Sequence, residues 1–272
     1  MGSLGRVIFI TSFKGGVGKT TATANIAAAL RALEKRVLII DGDFGMRCMD
    51  IVLGCESESL FDCYDVLLGR CEPEKAIIGD AGLYFMPAPM NYNGDFIPQE
   101  RFKELFGYLR KRYDYCLIDS SADASPYYMS FATAADDAIV ISLHQSTAIR
   151  AAEKTAVKLV GLGFKNLRLI INGYRKEYAE KGRLPSILEI INRSSISLIG
   201  VVPYEESLPA DQEAGHLTFS GGYKRRFKKY EAAFFNIARR ICGERVKLFD
   251  DVYKPKKKKY YINKCGKEGF LL

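Results

Sequence analysis

Two kinds of apolar pattern alternate along the chain. Short unbroken runs occur at Arg6–Thr11 (RVIFIT), Arg36–Asp43 (RVLIIDGD), Tyr113–Ser121 (YDYCLIDSS), Asp137–Leu143 (DAIVISL), Leu167–Gly173 (LRLIING) and Ser197–Pro203 (SLIGVVP). They lack the in-out alternation of a half-exposed strand, so they predict strands buried on both faces, as in a parallel sheet. Between them lie longer segments with apolar residues three or four apart, which predict helices at Lys19–Lys35, Gln99–Arg112, Thr147–Leu162, Leu184–Asn192 and Tyr223–Cys242. Strand and helix taking turns predicts one doubly wound α/β domain, a mostly parallel sheet with helices on both faces. The pattern stops near Gly243, so residues 1–243 are expected to form the domain and 244–272 a basic tail.

Composition agrees with a folded core. At 272 residues and 48% hydrophobic content, the chain can bury a substantial interior. No apolar run approaches the roughly 20 residues needed to cross a bilayer, and Met1–Arg6 leads straight into a strand, so a cytoplasmic protein is expected. The seven cysteines are an odd number without any C-x-x-C pair, the usage of reduced thiols rather than a disulfide framework or cluster site. The net charge of +8 is uneven: from Tyr223 onward sixteen Lys/Arg face five Asp/Glu, leaving the first 222 residues slightly acidic.

Candidate chemistry begins at Thr11–Thr21, TSFKGGVGKTT. A Gly-rich turn that follows a buried strand and opens a helix presents backbone N–H groups to phosphate. In this reading Gly15, Gly16, Val17, Gly18, Lys19, Thr20 and Thr21 wrap the phosphates of a nucleotide. Lys19 reaches the β- and γ-phosphates, and the Thr20 hydroxyl ligates Mg²⁺. Asp119, at the end of the YCLID run, supplies the second-strand acid that such a site needs to hold the Mg²⁺ shell. Phe13 is the misfit, because the ordinary phosphate-loop pattern has glycine there.

KGGVGKTT with a lysine in its first position resembles the deviant phosphate loop of the MinD/ParA ATPase family, and Ile39–Glu56 (IDGDFGMRCMDIVLGCE) is similar to that family's switch I, most of all in its MinD branch. The resemblance covers about Arg6 to Cys242. It implies ATP and Mg²⁺ as cofactors and slow hydrolysis stimulated by a protein regulator. It further implies a homodimer with ATP held between the copies, in which Lys14 contacts the partner's phosphates. Asp43 would orient the attacking water and join Thr20 and Asp119 around Mg²⁺, with Asp41 supporting that environment. Lys14, Lys19 and Asp43 are thereby the catalytic candidates. Asn172 would hydrogen-bond adenine, and Pro203, in the Val201–Glu206 segment, would line the base. The implied function is a spatial-positioning switch, with division-site selection first, and flagella, DNA or polar complexes as alternatives.

Three departures stand out. Ser121 and Asp123 occupy the proline and glycine positions of the family's switch II, and Cys48 replaces an asparagine typical of the MinD branch, which leaves room for a catalytically weakened scaffold. An iron–sulfur carrier with the same loop would need paired cysteines, and there are none in C-x-x-C or C-x-C spacing. Lys254–Leu272, with its run KPKKKKYY, could meet an anionic membrane, placing the protein peripherally at the inner face, could contact nucleic acid less readily, or could stay solvated.

Overall fold

A computed structural model describes residues 4–56, 58–122, 126–213, 215 and 228–248. In chain order the elements are β1 (Arg6–Thr11), α1 (Lys19–Ala32), β2 (Val37–Gly42), α2 (Met49–Leu53), α3 (Cys63–Leu67), β3 (Ile78–Asp80), β4 (Leu83–Met86), α4 (Gln99–Leu109), β5 (Tyr115–Ser120), α5 (Pro126–Ala134), β6 (Asp137–Leu143), α6 (Ser146–Gly161), β7 (Leu167–Tyr174), α7 (Lys176–Glu180), α8 (Ile187–Ser194), β8 (Ser197–Pro203), α9 (Leu208–Glu213) and α10 (Lys229–Ile241).

The strands form an eight-stranded sheet in the order β3-β4-β2-β5-β1-β6-β7-β8. Every pairing is parallel except the edge hairpin β3–β4. The unbroken apolar runs follow from this placement. Val7 and Phe9 of β1 enter one core with side chains of α4, α5, α6 and α8, while Ile8 and Ile10 enter a second core with α1 and α10. A strand sandwiched in this way cannot use polar residues on alternate positions. Helix α1 presents Ala22, Ala24, Ala27, Ala28 and Ala29 as buried positions, small side chains that let it lie close to the sheet.

All six runs read as strands are strands, with β2 beginning one residue later and ending one earlier than its apolar run and β5 trimmed similarly. Helix α4 stops at Leu109 rather than Arg112, because Arg110–Tyr113 turn the chain into β5. Helix α8 begins at Ile187 instead of Leu184, where the Ser186 hydroxyl accepts from the Glu189 N–H. Helix α10 is described from Lys229; the expected start at Tyr223 lies outside the described residues. The hairpin β3–β4 and helices α2, α3, α5, α7 and α9 carry too short or too uniformly apolar a pattern to be read from periodicity.

The topology creates the site. Between β1 and β2 the chain leaves a place that β5 later fills, and from β5 it hops across β1 to form β6. The segments leaving β1 and β5 therefore part toward opposite faces, α1 on one and α5 on the other, opening a crevice at the carboxyl ends of the central strands.

Candidate nucleotide-binding site

The loop from Ser12 to Gly18 joins β1 to α1 at that crevice. Gly16 and Gly18 hold φ of 72° and 89°, the left-handed region, which curls the backbone into a cup ahead of the helix. At Gly18 even a methyl group is excluded: an added Cβ would sit 2.4 Å from the Asn172 Nδ2. The Asn172 amide donates to the Val17 carbonyl at 2.8 Å, so its NH₂ end braces the loop. Asn172 thus stands beside the loop, with its side-chain carbonyl as the group left to meet a base.

Strand register gathers the acids. Asp41 of β2 lies directly beside Asp119 of β5, which is paired in turn with Ile10 of β1. Both carboxylates are almost fully buried, and Lys19 is buried against them. Burial first, and the Asp119 charge second, hold Asp41 well above the usual carboxylate range. Burial likewise pushes Asp119 up to about 7, against the opposing pull of the Thr20 hydroxyl and the Lys19 ammonium. Asp41 also organises the backbone that follows it. Its Oδ1 accepts from the Asp43 N–H at 3.0 Å and its Oδ2 from the Met49 N–H at 3.4 Å. It thus pins both ends of the Asp43–Cys48 turn and aims Asp43 at the crevice from beside the β2 terminus.

Thr23 is a site residue that motif reading missed. One helical turn after Lys19, its hydroxyl lies 2.9 Å from the Lys19 carbonyl and 3.3 Å from Asp119 Oδ1, so Thr20 and Thr23 together hold the carboxylate. The i,i+4 spacing from Lys19 was the available signal. Thr21 faces the other way and pairs with Gln212 of α9 at 3.1 Å.

Phe13 has a defined place. Its ring lies 5.4 Å from Tyr128 and its N–H donates to the Thr155 hydroxyl at 3.1 Å. The Thr11 hydroxyl reaches the Tyr128 oxygen at 3.0 Å. Tyr128 sits on α5, directly after the Asp119–Ser125 stretch, so an aromatic contact connects the phosphate loop to the helix that follows switch II. Ser121 is buried at the end of that strand, whereas Asp123 lies outside the described residues. Lys14 is half-buried and its ammonium stands 3.5 Å from the Thr147 hydroxyl at the start of α6. That contact is open to solvent, whereas Lys19 is buried.

Pro203 and Asn172 come from the neighbouring strands β8 and β7, and Pro203 pairs in register with Tyr174. A cavity of about 350 Å³ opens there, lined by Tyr174, Arg175, Glu177, Pro203 and Tyr204 among others. The Arg175 guanidinium lies 3.6 Å over the Tyr204 ring, a flat platform at the carboxyl edge.

These residues fit a nucleotide with Mg²⁺. The glycine cup and Lys19 suit phosphate oxygens, and the Ser12 hydroxyl, fully buried beside the loop, has no hydrogen-bond partner among the described residues. Buried carboxylates with raised proton affinity are groups that a divalent cation would stabilise as anions. Among the described residues no group of three or more His, Cys, Asp or Glu forms a cation cage by itself. That suits an ion completed by the Thr20 hydroxyl and phosphate oxygens. The six described cysteines are all free, and no described helix is long and apolar enough to cross a membrane. Lys254–Leu272 lies outside the described residues.

Comparison with known proteins gives a consistent answer. The AAA_31 family profile, described as an AAA domain, matches residues 5–160. The chain is 34% identical over 254 residues to the septum site-determining protein MinD of Bacillus subtilis, covering 90% of this chain and 92% of the relative. Among solved structures, it is similar to the MinC:MinD cell division protein complex of Aquifex aeolicus, with TM-score 0.80, 32% identity and coverage of 90% and 98%. It is also similar to MinD complexed with Mg-ADP from Pyrococcus horikoshii, with TM-score 0.76, 26% identity and coverage of 88% and 96%.

Proposed function

Starting from the fact that this chain belongs to the MinD family of P-loop ATPases, we propose that it is a division-site positioning switch, monomeric with ADP and a sandwich dimer with ATP. The observation that carries the reading is the division of labour between two lysines. Lys19 is buried among the acids of its own crevice, whereas Lys14, on the same loop, stands at the rim beside the Thr147 hydroxyl. A cation so placed is suited to phosphates presented by a second copy, so charge developing on the transferred phosphoryl is neutralised only after association.

In the cycle, the loop and Lys19 bind the triphosphate, and Thr20, with Asp119 behind it, holds Mg²⁺. Asp43, aimed by Asp41, orients water. Mg²⁺ held there would supply positive charge that offsets the charge of the phosphates. Hydrolysis dissolves the dimer and resets the switch. The chain's similarity to the MinD of a MinC:MinD complex supports a protein partner of the same kind, one that reads the ATP-bound dimer. The tail is proposed to add salt-dependent attraction to an anionic membrane.

Size-exclusion chromatography with Mg²⁺ tests the core of this reading. Asp43→Ala is expected to elute as a dimer with ATP and as a monomer with ADP, and Lys14→Ala to bind ATP with little loss while staying monomeric. A protein that remains monomeric with saturating ATP in the Asp43→Ala background rules the switch out.

A further inference from the structure

Helix α5 opens with two adjacent tyrosines that reach different loops of the site. Tyr128 turns to the phosphate loop, where its ring lies 5.0 Å from Phe9 and 5.4 Å from Phe13 and its oxygen meets the Thr11 hydroxyl. Tyr127, about 100° away around the helix axis, turns to the Asp43–Cys48 turn, where its ring stands 4.8 Å from that of Phe44, the residue after Asp43. Phe44 is the centre of a cluster of rings: besides Tyr127 it meets Tyr64 of α3 at 5.9 Å, Tyr92 at 5.8 Å and Phe131 at 5.8 Å. Asp95 fastens two of these rings. Its carboxylate accepts from the Tyr64 hydroxyl at 2.8 Å, and its main-chain carbonyl accepts from the Tyr127 hydroxyl at 2.7 Å. Beside the cluster, the Gly45 N–H donates to the Pro89 carbonyl at 3.1 Å, so the turn is held against the loop that carries Tyr92.

We propose, on the reading that Asp43 orients the attacking water, that Tyr127 is a positioning residue for ATP hydrolysis: through Phe44 it sets where Asp43 stands relative to the phosphates. Asp41 ties down the turn from the β2 side, by the N–H groups of Asp43 and Met49. The rings hold it from the α5 side, and α5 is itself anchored to the phosphate loop by Tyr128. Switch I and the phosphate loop thereby share one reference, the start of α5, which follows directly on the Asp119–Ser125 stretch. Ring pairs of this kind are directional, so a shift of α5 as the nucleotide changes is passed to Phe44 rather than absorbed. A misplacement on the order of 1 Å is enough to cost ~100-fold in rate. A ring that locates Asp43 therefore acts on turnover without touching the nucleotide.

Steady-state phosphate release by the full chain with Mg²⁺ and ATP tests this. Phe44→Leu and Tyr127→Leu should each lower kcat about tenfold while KM for ATP stays within about twofold. The double variant should fall no further than about threefold below either single one, because both remove the same contact. Tyr127→Phe keeps the ring and should restore most of the rate. The chain has no tryptophan, so Phe44→Trp reports on the cluster without turnover. Its emission should differ between the ATP-bound and ADP-bound protein, and adding Tyr127→Leu should erase the difference. Asp43→Ala separates the two readings. If it is inactive while Phe44→Leu and Tyr127→Leu keep the wild-type kcat, or while their losses multiply to about 100-fold, the role of Tyr127 is overturned and that of Asp43 stands. An emission blind to the nucleotide overturns the role of Tyr127 as well. If Asp43→Ala hydrolyses ATP at the wild-type rate, the role of Asp43 falls and that of Tyr127 with it.

Discussion

At the carboxyl edge of the sheet the acids Asp41, Asp43 and Asp119 lie together, with the buried Lys19 near Asp119, whereas at the amino edge Arg6 and Asn166 converge on Asp137. Asp41 and Asp119 are deeply buried, whereas at the amino edge Arg6 and Arg168 are only partly covered and the buried Arg240 donates to the carbonyls of Ile199, Val246 and Lys247. The carboxyl edge is built on a glycine loop and switch turns, so its shape can follow a ligand. The amino edge is built on strand starts and a helix end, so its shape is set. Acids gathered in a crevice suit a cation carried in with phosphate.

The largest expected effect breaks the carboxyl edge without altering any charge. Gly18→Ala places a methyl against Asn172 at a φ of 89°, so ATP affinity measured by calorimetry should fall at least ~100-fold, about 3 kcal/mol. Retained ATP affinity would mean that the loop does not need the conformation seen here.

Next, Asp137→Asn removes the charge of the carboxylate that accepts from Arg6 and Asn166 while keeping its shape. Chemical denaturation should show a loss of about 2 kcal/mol, because Arg6 and Asn166 lose their ionised acceptor. An unchanged midpoint would show that Asp137 does not hold Arg6 and Asn166 in solution.

A pH profile sharpens the carboxyl edge. Asp119 has its proton affinity raised to about 7 in the folded protein against an ordinary value near 4, so the folded state holds the proton more tightly than the unfolded chain. Its contribution to metal-free stability is therefore full below about pH 4 and is lost as pH rises toward 7, with a slope of at most about 1.4 kcal/mol per pH unit. Asp119→Asn should flatten that slope and abolish Mg²⁺-dependent hydrolysis. A wild-type profile with no such decline would show that Asp119 is better solvated than its burial indicates.

Much of the carboxyl edge was legible in the sequence. The order strand, glycine turn, GKT, helix is a local constraint, and local constraints survive whatever the rest of the chain does. Asp119 was readable because it ends a buried strand, whereas Asn172 and Pro203 were implied by the family resemblance alone. Thr23 was missed because no pattern for the loop extends into the helix, and Tyr128 because the all-apolar helix α5 has no periodicity to mark it. The amino edge was illegible: Arg6, Asp137, Arg168 and Arg240 belong to four elements spread over most of the chain, and no spacing connects them.

The sequence by itself determined the alternation of buried strands and helices, the phosphate loop with its two lysines, and the acids at strand ends, since each follows from neighbours within a few residues. Only the tertiary structure decided the rest. Strand order sets β5 between β1 and β2, and register places Asp41 beside Asp119, so that one carboxylate organises switch I while the other waits behind Thr20. Packing turned Phe13 from a misfit into a contact with Tyr128, and brought three distant arginines to one pocket. Pairings between residues a hundred or more positions apart are fixed by the closing of a common core, and no local pattern encodes them.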